Sequence, residues 1–213
     1  RFLAPGSFSG LGVTGPSTNS WSCAALRPQI KAYLSGTKPL PTAFKARRAQ
    51  RLKQAGSQQA IRKRIVQWAL WGCQNTAQIA YSQNGNVRLA LLGKKASVPL
   101  ATDCSGFATL CYQWAGAPNP NAAGAYDARQ PAFTGSMLAH CRKIPKSAAQ
   151  PGDLVVWTPP SQGQHVCLVV QGGADPVLVS HGDDTGPKKL RFWAEDAYQR
   201  SHGHGTAIWL TVF

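Results

Sequence analysis

The first 102 residues contain no aspartate and no glutamate, yet they hold 15 lysines and arginines. Residues 103–213 carry eight basic and all eight acidic residues, so they are neutral and the whole net charge of +15 belongs to the first part. Charge placed this unevenly excludes a general solubility role and points to a polyanionic partner of the N-terminal half: a wall polymer, a nucleic acid or a membrane surface. No apolar run approaches the ~18 residues of a membrane span. None of the six cysteines (Cys23, Cys73, Cys104, Cys111, Cys141, Cys167) forms a Cys-x-x-Cys pair, which argues against a zinc ribbon or a thioredoxin-type redox motif. The chain opens on Arg1 and has a single methionine, Met137, which reads as a processed or truncated N terminus.

What is present is enough for a globular fold. The 213 residues are 43% hydrophobic, which suits one domain with an extension. Residues 1–41, rich in Gly, Ser, Thr and Pro, read as a flexible arm, and residues 42–213 as the domain proper. A basic helix is expected over 42–55, broken by Gly56, with Ser57 capping a second helix. In that second helix Ile61, Ile65, Trp68 and Ala69 form an apolar stripe, and Arg62, Lys63 and Arg64 lie mostly off it. Residues 82–102 read as a loop, 105–115 as a helix, 116–135 as a loop and 136–142 as a short helix. Strands follow at 154–157, 165–170, 177–180, 190–192 and 207–212, separated by turns at Pro159-Pro160, Gly172-Gly173 and Gly186-Pro187. Helices followed by hairpin-linked strands predict an α+β fold, its N-terminal helices packed on a C-terminal antiparallel sheet.

The strongest chemical signal is Thr102-Asp103-Cys104-Ser105-Gly106-Phe107. It puts Cys104 in the first turn of a helix, where free N–H groups and the positive helix end favour a thiolate and can steady an oxyanion. Asp103 can cap the helix, and Gly106 would let a substrate backbone approach. Cys111, seven residues on in the apolar stripe, reads as core. A thiolate needs a proton acceptor, and the acceptor an orienter. If the strands bearing His165 and His181 pair as a hairpin, the two histidines meet at one sheet edge. They are then either a base and its orienter or two edge histidines facing solvent. A zinc reading would draw on His202, His204, His165, His181 and Cys167, with Asp183-Asp184 adding carboxylates. A Gly-flanked surface turn is the simpler reading of His202-Gly203-His204. The basic segment 45–64, with Trp68 and Trp71 nearby, would suit a nucleic-acid or other polyanion-binding module.

Asp103-Cys104-Ser105-Gly106-Phe107, Pro151-Gly152-Asp153-Leu154-Val155, His165-Val166 and Ser180-His181-Gly182 occur in this order in the NlpC/P60-type cysteine peptidases, which the chain resembles over about residues 60–213. That resemblance implies a papain-like α+β fold and a peptidoglycan hydrolase. Its implied action is on stem-peptide bonds, such as the D-glutamyl–diaminopimelate bond. It implies Cys104 as nucleophile, His165 as general base and His181 as orienter, with Asp103, Ser105 and Tyr81 as candidate substrate-binding residues and no metal or cofactor. Asp153 and Ser105 are expected near the site in support roles. The family usually has a small residue where Cys167 stands, the basic N-terminal region has no counterpart in it, and residues 84–100 read as an insertion that adds a substrate wall. A related Cys/His amidase cutting the muramoyl–alanine bond is the sibling reading. The implied partners are bacterial peptidoglycan and, through the basic half, anionic wall polymers, with nucleic acid the lesser option. The implied site of action is the cell wall, for a secreted enzyme, a phage lysin or a virion-associated enzyme of actinobacterial or phage origin.

Overall fold

The computed structural model describes residues 42–127, 132–158, 165–182 and 186–213. The expected arm 1–41, Cys23, the Pro159-Pro160 turn and Asp183-Asp184 lie outside the described residues. The chain divides into two compact units, residues 1–57 and 58–213. The described part of the first is helical, with Lys45, Arg47, Arg48, Arg51 and Lys53 all exposed.

The described residues hold four α-helices: α1 (Thr42–Gln74), α2 (Cys104–Trp114), α3 (Thr134–His140) and α4 (Phe192–Ser201). Gly56 does not end a helix, since α1 runs through it; a glycine there weakens a helix by about 1 kcal/mol without forcing a break. Strands β1 (Ile79–Tyr81) and β2 (Leu100–Thr102) form a small parallel pair. The six others among the described residues are β3 (Arg142–Ile144), β4 (Leu154–Thr158), β5 (His165–Gln171), β6 (Val177–Ser180), β7 (Lys188–Arg191) and β8 (Thr206–Thr211). They form one antiparallel sheet in the order β3-β8-β4-β5-β6-β7. The expected α+β class with an antiparallel sheet holds. The helix α4, inserted between β7 and β8, departs from the expected unbroken run of strands.

The sheet is covered on both faces, which is why its central strands read as continuous apolar runs rather than alternating ones. Leu154, Val156, Val166, Leu168, Val179 and Leu210 pack with Ile65, Ala69, Phe107, Leu110 and Met137. Val155, Trp157, Cys167, Val169 and Leu178 face the other way, against Phe192 and Trp209. Ile65 and Ala69 are the buried part of the stripe expected on α1.

Arg62 corrects the expectation of an open basic face. It is buried, and its Nη1 donates to Asp153 Oδ1 at 2.7 Å and to Pro151 O at 3.2 Å, while Nη2 donates to Thr211 Oγ1 at 3.0 Å. Its guanidinium also lies over the Phe213 ring, 4.2 Å from the centroid. Asp153, the acid of the Pro-Gly-Asp motif, thus ties α1 to the sheet. Trp68 and Trp71 are not a free aromatic footprint either: with Trp114 they form a mutual cluster with centroids 5.5–5.8 Å apart.

Candidate functional site

Cys104 opens α2, and the residue before it makes the turn. Asp103 is extended and caps the helix, its Oδ1 accepting the Gly106 N–H at 2.6 Å. The carboxylate is held bidentately by Arg88, whose Nε donates to Oδ2 at 2.6 Å and Nη2 to Oδ1 at 2.8 Å. Arg88 also donates to Ser105 Oγ at 2.7 Å and to the Ala132 carbonyl, and Ser105 Oγ donates to Asp103 Oδ1 at 3.0 Å. The polar atoms of Asp103 and Ser105 are therefore engaged inside the protein, in clamping the helix start. The segment 84–100, expected as a substrate wall, supplies the arginine of that clamp. Gly106 has a packing reason rather than a substrate one: a Cβ there would collide with Thr102 Oγ1 and press on Asp103 Oδ1 at 3.1 Å.

His165 begins β5, and Cys104 is among the neighbours that raise its pKa, so the structure brings these two expected residues within reach of each other. Its Nε2 lies 2.8 Å from Ser180 Oγ, 3.3 Å from Cys167 Sγ and 3.3 Å from Glu195 Oε1. Gln199 Nε2 donates to the same Glu195 oxygen at 2.8 Å, and His204 Nδ1 in turn bonds Gln199 Oε1. His204 is thus tied to this network, whereas His202 bonds the Tyr198 carbonyl and Ser201 on the exposed side.

His181 lies at the same end of the sheet but not among those partners of His165 Nε2. Its own Nε2 donates to the Thr102 carbonyl at 3.0 Å, and its ring stands edge-on to Tyr81 and Phe107. The reason is register. Leu168 is paired with Val179, so alternation gives Ser180 to the face of Cys167 and His181 to the face of Val179. Strand pairing was legible in the sequence; its register was not, and a shift of one residue exchanges the two side chains. Tyr81 is half-buried, and its hydroxyl accepts from Gln83 Nε2 at 2.9 Å. Burial raises its pKa, and negative charge at Cys104 and Asp103 adds to that, which puts the phenol in the electrostatic reach of the thiol.

Burial alone would favour a neutral His165 ring. Negative charge at Cys167 and hydrogen bonds with Cys104, Cys167 and Glu195 outweigh burial and hold its pKa well above the usual histidine range. Burial in turn pushes the Cys167 thiol up, against the lowering effect of His165 beside it. The Glu195 carboxyl, raised by burial, is lowered more by hydrogen bonds from His165 and Gln199 and ends below its ordinary value.

Glu195 is the main residue that sequence reasoning missed. The buried positions of α4 are Phe192, Glu195, Asp196 and Gln199, a proper helical spacing filled after Phe192 by polar residues. An apolar-periodicity reading passes over such a helix.

A thiol at a helix N terminus, within reach of an imidazole that is itself paired with a carboxylate, is the arrangement of a cysteine-dependent hydrolase. The model of the NlpC/P60 family matches residues 79–185, and the chain belongs to that family, whose members are generally cysteine peptidases of peptidoglycan. The matched segment contains Tyr81, Cys104, His165 and His181 and ends before Glu195. No curated protein matches the chain. Among solved structures, a Staphylococcus aureus protein described as similar to a lipoprotein of the NLP/P60 family shares 20% identity, with a TM-score of 0.43. The match covers 70% of this chain and 40% of that one.

Proposed function

We propose that this protein is a peptidoglycan hydrolase that opens a stem-peptide bond, the D-glutamyl–diaminopimelate link, through the thiolate of Cys104. The observation that carries the proposal is the placing of Cys104 in the first turn of α2 within reach of His165, inside the segment matched by the family. Cys104 Sγ, its proton already held on His165 as an ion pair, attacks the scissile carbonyl. N–H groups of the first helical turn steady the oxyanion. His165 then passes the proton to the leaving amine. Water opens the thioester, releasing a carboxylate and regenerating the thiol.

The orienting role expected for His181 belongs in this proposal to Glu195 and Ser180, which contact His165 Nε2. His181 is a positioning residue for the nucleophile, because it bonds the carbonyl two residues before Cys104. Digestion of purified peptidoglycan, read by mass spectrometry, tests the bond. The wild type should release fragments with new diaminopimelate amino groups, and Cys104→Ala none. Free muramic acid carboxyls would instead support the amidase.

The exposed Lys45, Arg47, Arg48, Arg51 and Lys53 support a further part of the reading, a basic segment that holds anionic wall polymers. Replacing all five by Gln should weaken binding to sacculi and flatten its salt dependence. Unchanged binding would remove that role.

A further inference from the structure

Among the described residues, one set of metal-ligating side chains converges: His165, Cys167 and Glu195, whose ligand atoms all lie within 4.8 Å of one another. The separations are 3.3 Å for Nε2 to Sγ, 3.3 Å for Nε2 to Oε1 and 4.0 Å for Sγ to Oε1. A tetrahedral zinc ion with bonds of about 2.0–2.1 Å to nitrogen and oxygen and about 2.3 Å to sulfur needs N–O edges near ~3.3 Å and edges to sulfur near ~3.6 Å. Two of the three edges fit within a few tenths of an ångström. The third closes by about 0.4 Å, which a small rotation of the Cys167 side chain supplies. All three side chains are buried.

We propose that His165, Cys167 and Glu195 form a zinc-binding site that switches the enzyme off. The thiolate and the carboxylate together bring two negative charges and the neutral imidazole none, so a divalent cation leaves the buried centre neutral. Mixed sulfur and nitrogen donors select zinc over magnesium or calcium, which prefer oxygen alone. Gln199, which bonds the Glu195 carboxylate, and Ser180, 2.8 Å from Nε2, supply outer hydrogen bonds. Water completes the tetrahedron.

On binding, zinc takes the place of the Cys167 thiol proton and of the proton on His165 Nε2, and both leave to solvent. His165 gives its Nε2 lone pair to the metal. A neutral imidazole so engaged carries its one proton on Nδ1 and has no lone pair left to receive the Cys104 proton. The inhibitory consequence rests on the peptidase reading above; the binding itself does not.

The test uses the full chain freed of metal. Zinc is titrated against a chromophoric chelator, and cobalt(II) is added separately to read the thiolate-to-metal charge-transfer band. One zinc per chain is expected. Cys104→Ala, dead as a hydrolase, should bind zinc within about 3-fold of the wild type. Cys167→Ala, Cys167→Ser and Glu195→Gln should each bind at least about 100-fold more weakly, because loss of an outer partner alone costs about 10–100-fold. Peptidoglycan digestion by the wild type should stop with zinc and return with EDTA, whereas the rate of Cys167→Ala, compared with its own metal-free rate, should not respond to zinc. Zinc lost by Cys104→Ala, or retained at full affinity by Cys167→Ala, overturns the proposal. So does a cobalt complex without the charge-transfer band, a measurement that needs no variant. If the chain binds zinc in this pattern but cuts no peptidoglycan, the peptidase reading fails and the site stands.

Discussion

Removing the charge of Asp153 is expected to destabilise the protein far more than an ordinary ion-pair deletion. The Asp153 side chain is 1% exposed and that of Arg62 8%, with 2.7 Å between Nη1 and Oδ1. Asp153 Oδ2 also accepts the Gln150 N–H at 2.8 Å. Asp153→Asn keeps the volume and some hydrogen bonding but leaves a guanidinium buried without its anion. Breaking a buried pair from one side costs about 3–5 kcal/mol. Thr211 Oγ1, the Pro151 carbonyl and the Phe213 ring still contact Arg62, which favours the lower end, about 3 kcal/mol. Against a typical total of about 5–15 kcal/mol this is a large share. In a chain of this size it lowers Tm by roughly 6–12 °C.

Urea unfolding followed by tryptophan fluorescence measures the loss. The double variant Arg62→Met with Asp153→Leu should recover most of it, since a buried pair replaced by apolar groups is often neutral. The turnover of the folded fraction should stay at the wild-type level, because neither residue contacts Cys104 or His165 in the network described. A loss below about 1 kcal/mol, the level of a surface bridge, would refute the reasoning.

Cys104→Ala should abolish peptidoglycan hydrolysis with Tm and circular dichroism unchanged; retained turnover would remove the nucleophile assignment. Glu195→Gln should lower kcat at least about 10-fold with little change in KM, as loss of a base's orienter does. Equal loss in His181→Ala with an unchanged Glu195→Gln would return the orienting role to His181. Burial pushes the Cys73 thiol up to about 11, so at pH 8 its alkylation should run about 100-fold slower than that of an ordinary exposed cysteine. The rate should climb about tenfold per pH unit until about 11; peptide mass spectrometry after timed labelling reads it, and fast labelling at pH 8 would contradict the burial argument. Arg200→Ala, which breaks the pair between Arg200 and Asp196 on α4, should cost under about 1 kcal/mol by the same unfolding measurement, because the arginine side chain is 55% exposed.

The local chemistry around Cys104 could be read in one dimension because it is made by neighbours in the chain. A capping acid, a thiol and a small residue in successive positions define a helix start wherever they occur, and Asp103 does cap α2 through Gly106. Continuous apolar runs also announced β4, β5 and β6. Residues 142–144 hid as a strand because they are two basic residues and an isoleucine, mostly exposed at the sheet edge.

Partners far apart in sequence were settled only by packing. Arg62 looked like a member of a basic face until the sheet brought Asp153 to it across 91 positions. Arg88 lay in a loop with no pattern, yet it closes on Asp103. Register, which exchanges sheet faces with a shift of one residue, gave Ser180 to His165 and His181 to the Thr102 carbonyl. The sequence by itself determined the setting of Cys104 at a helix start, the fold class and the lopsided charge, because these depend on composition and short-range geometry. Only the tertiary structure decided what surrounds the imidazole, because a buried carboxylate on a helix without an apolar stripe becomes a partner once burial has removed water from both.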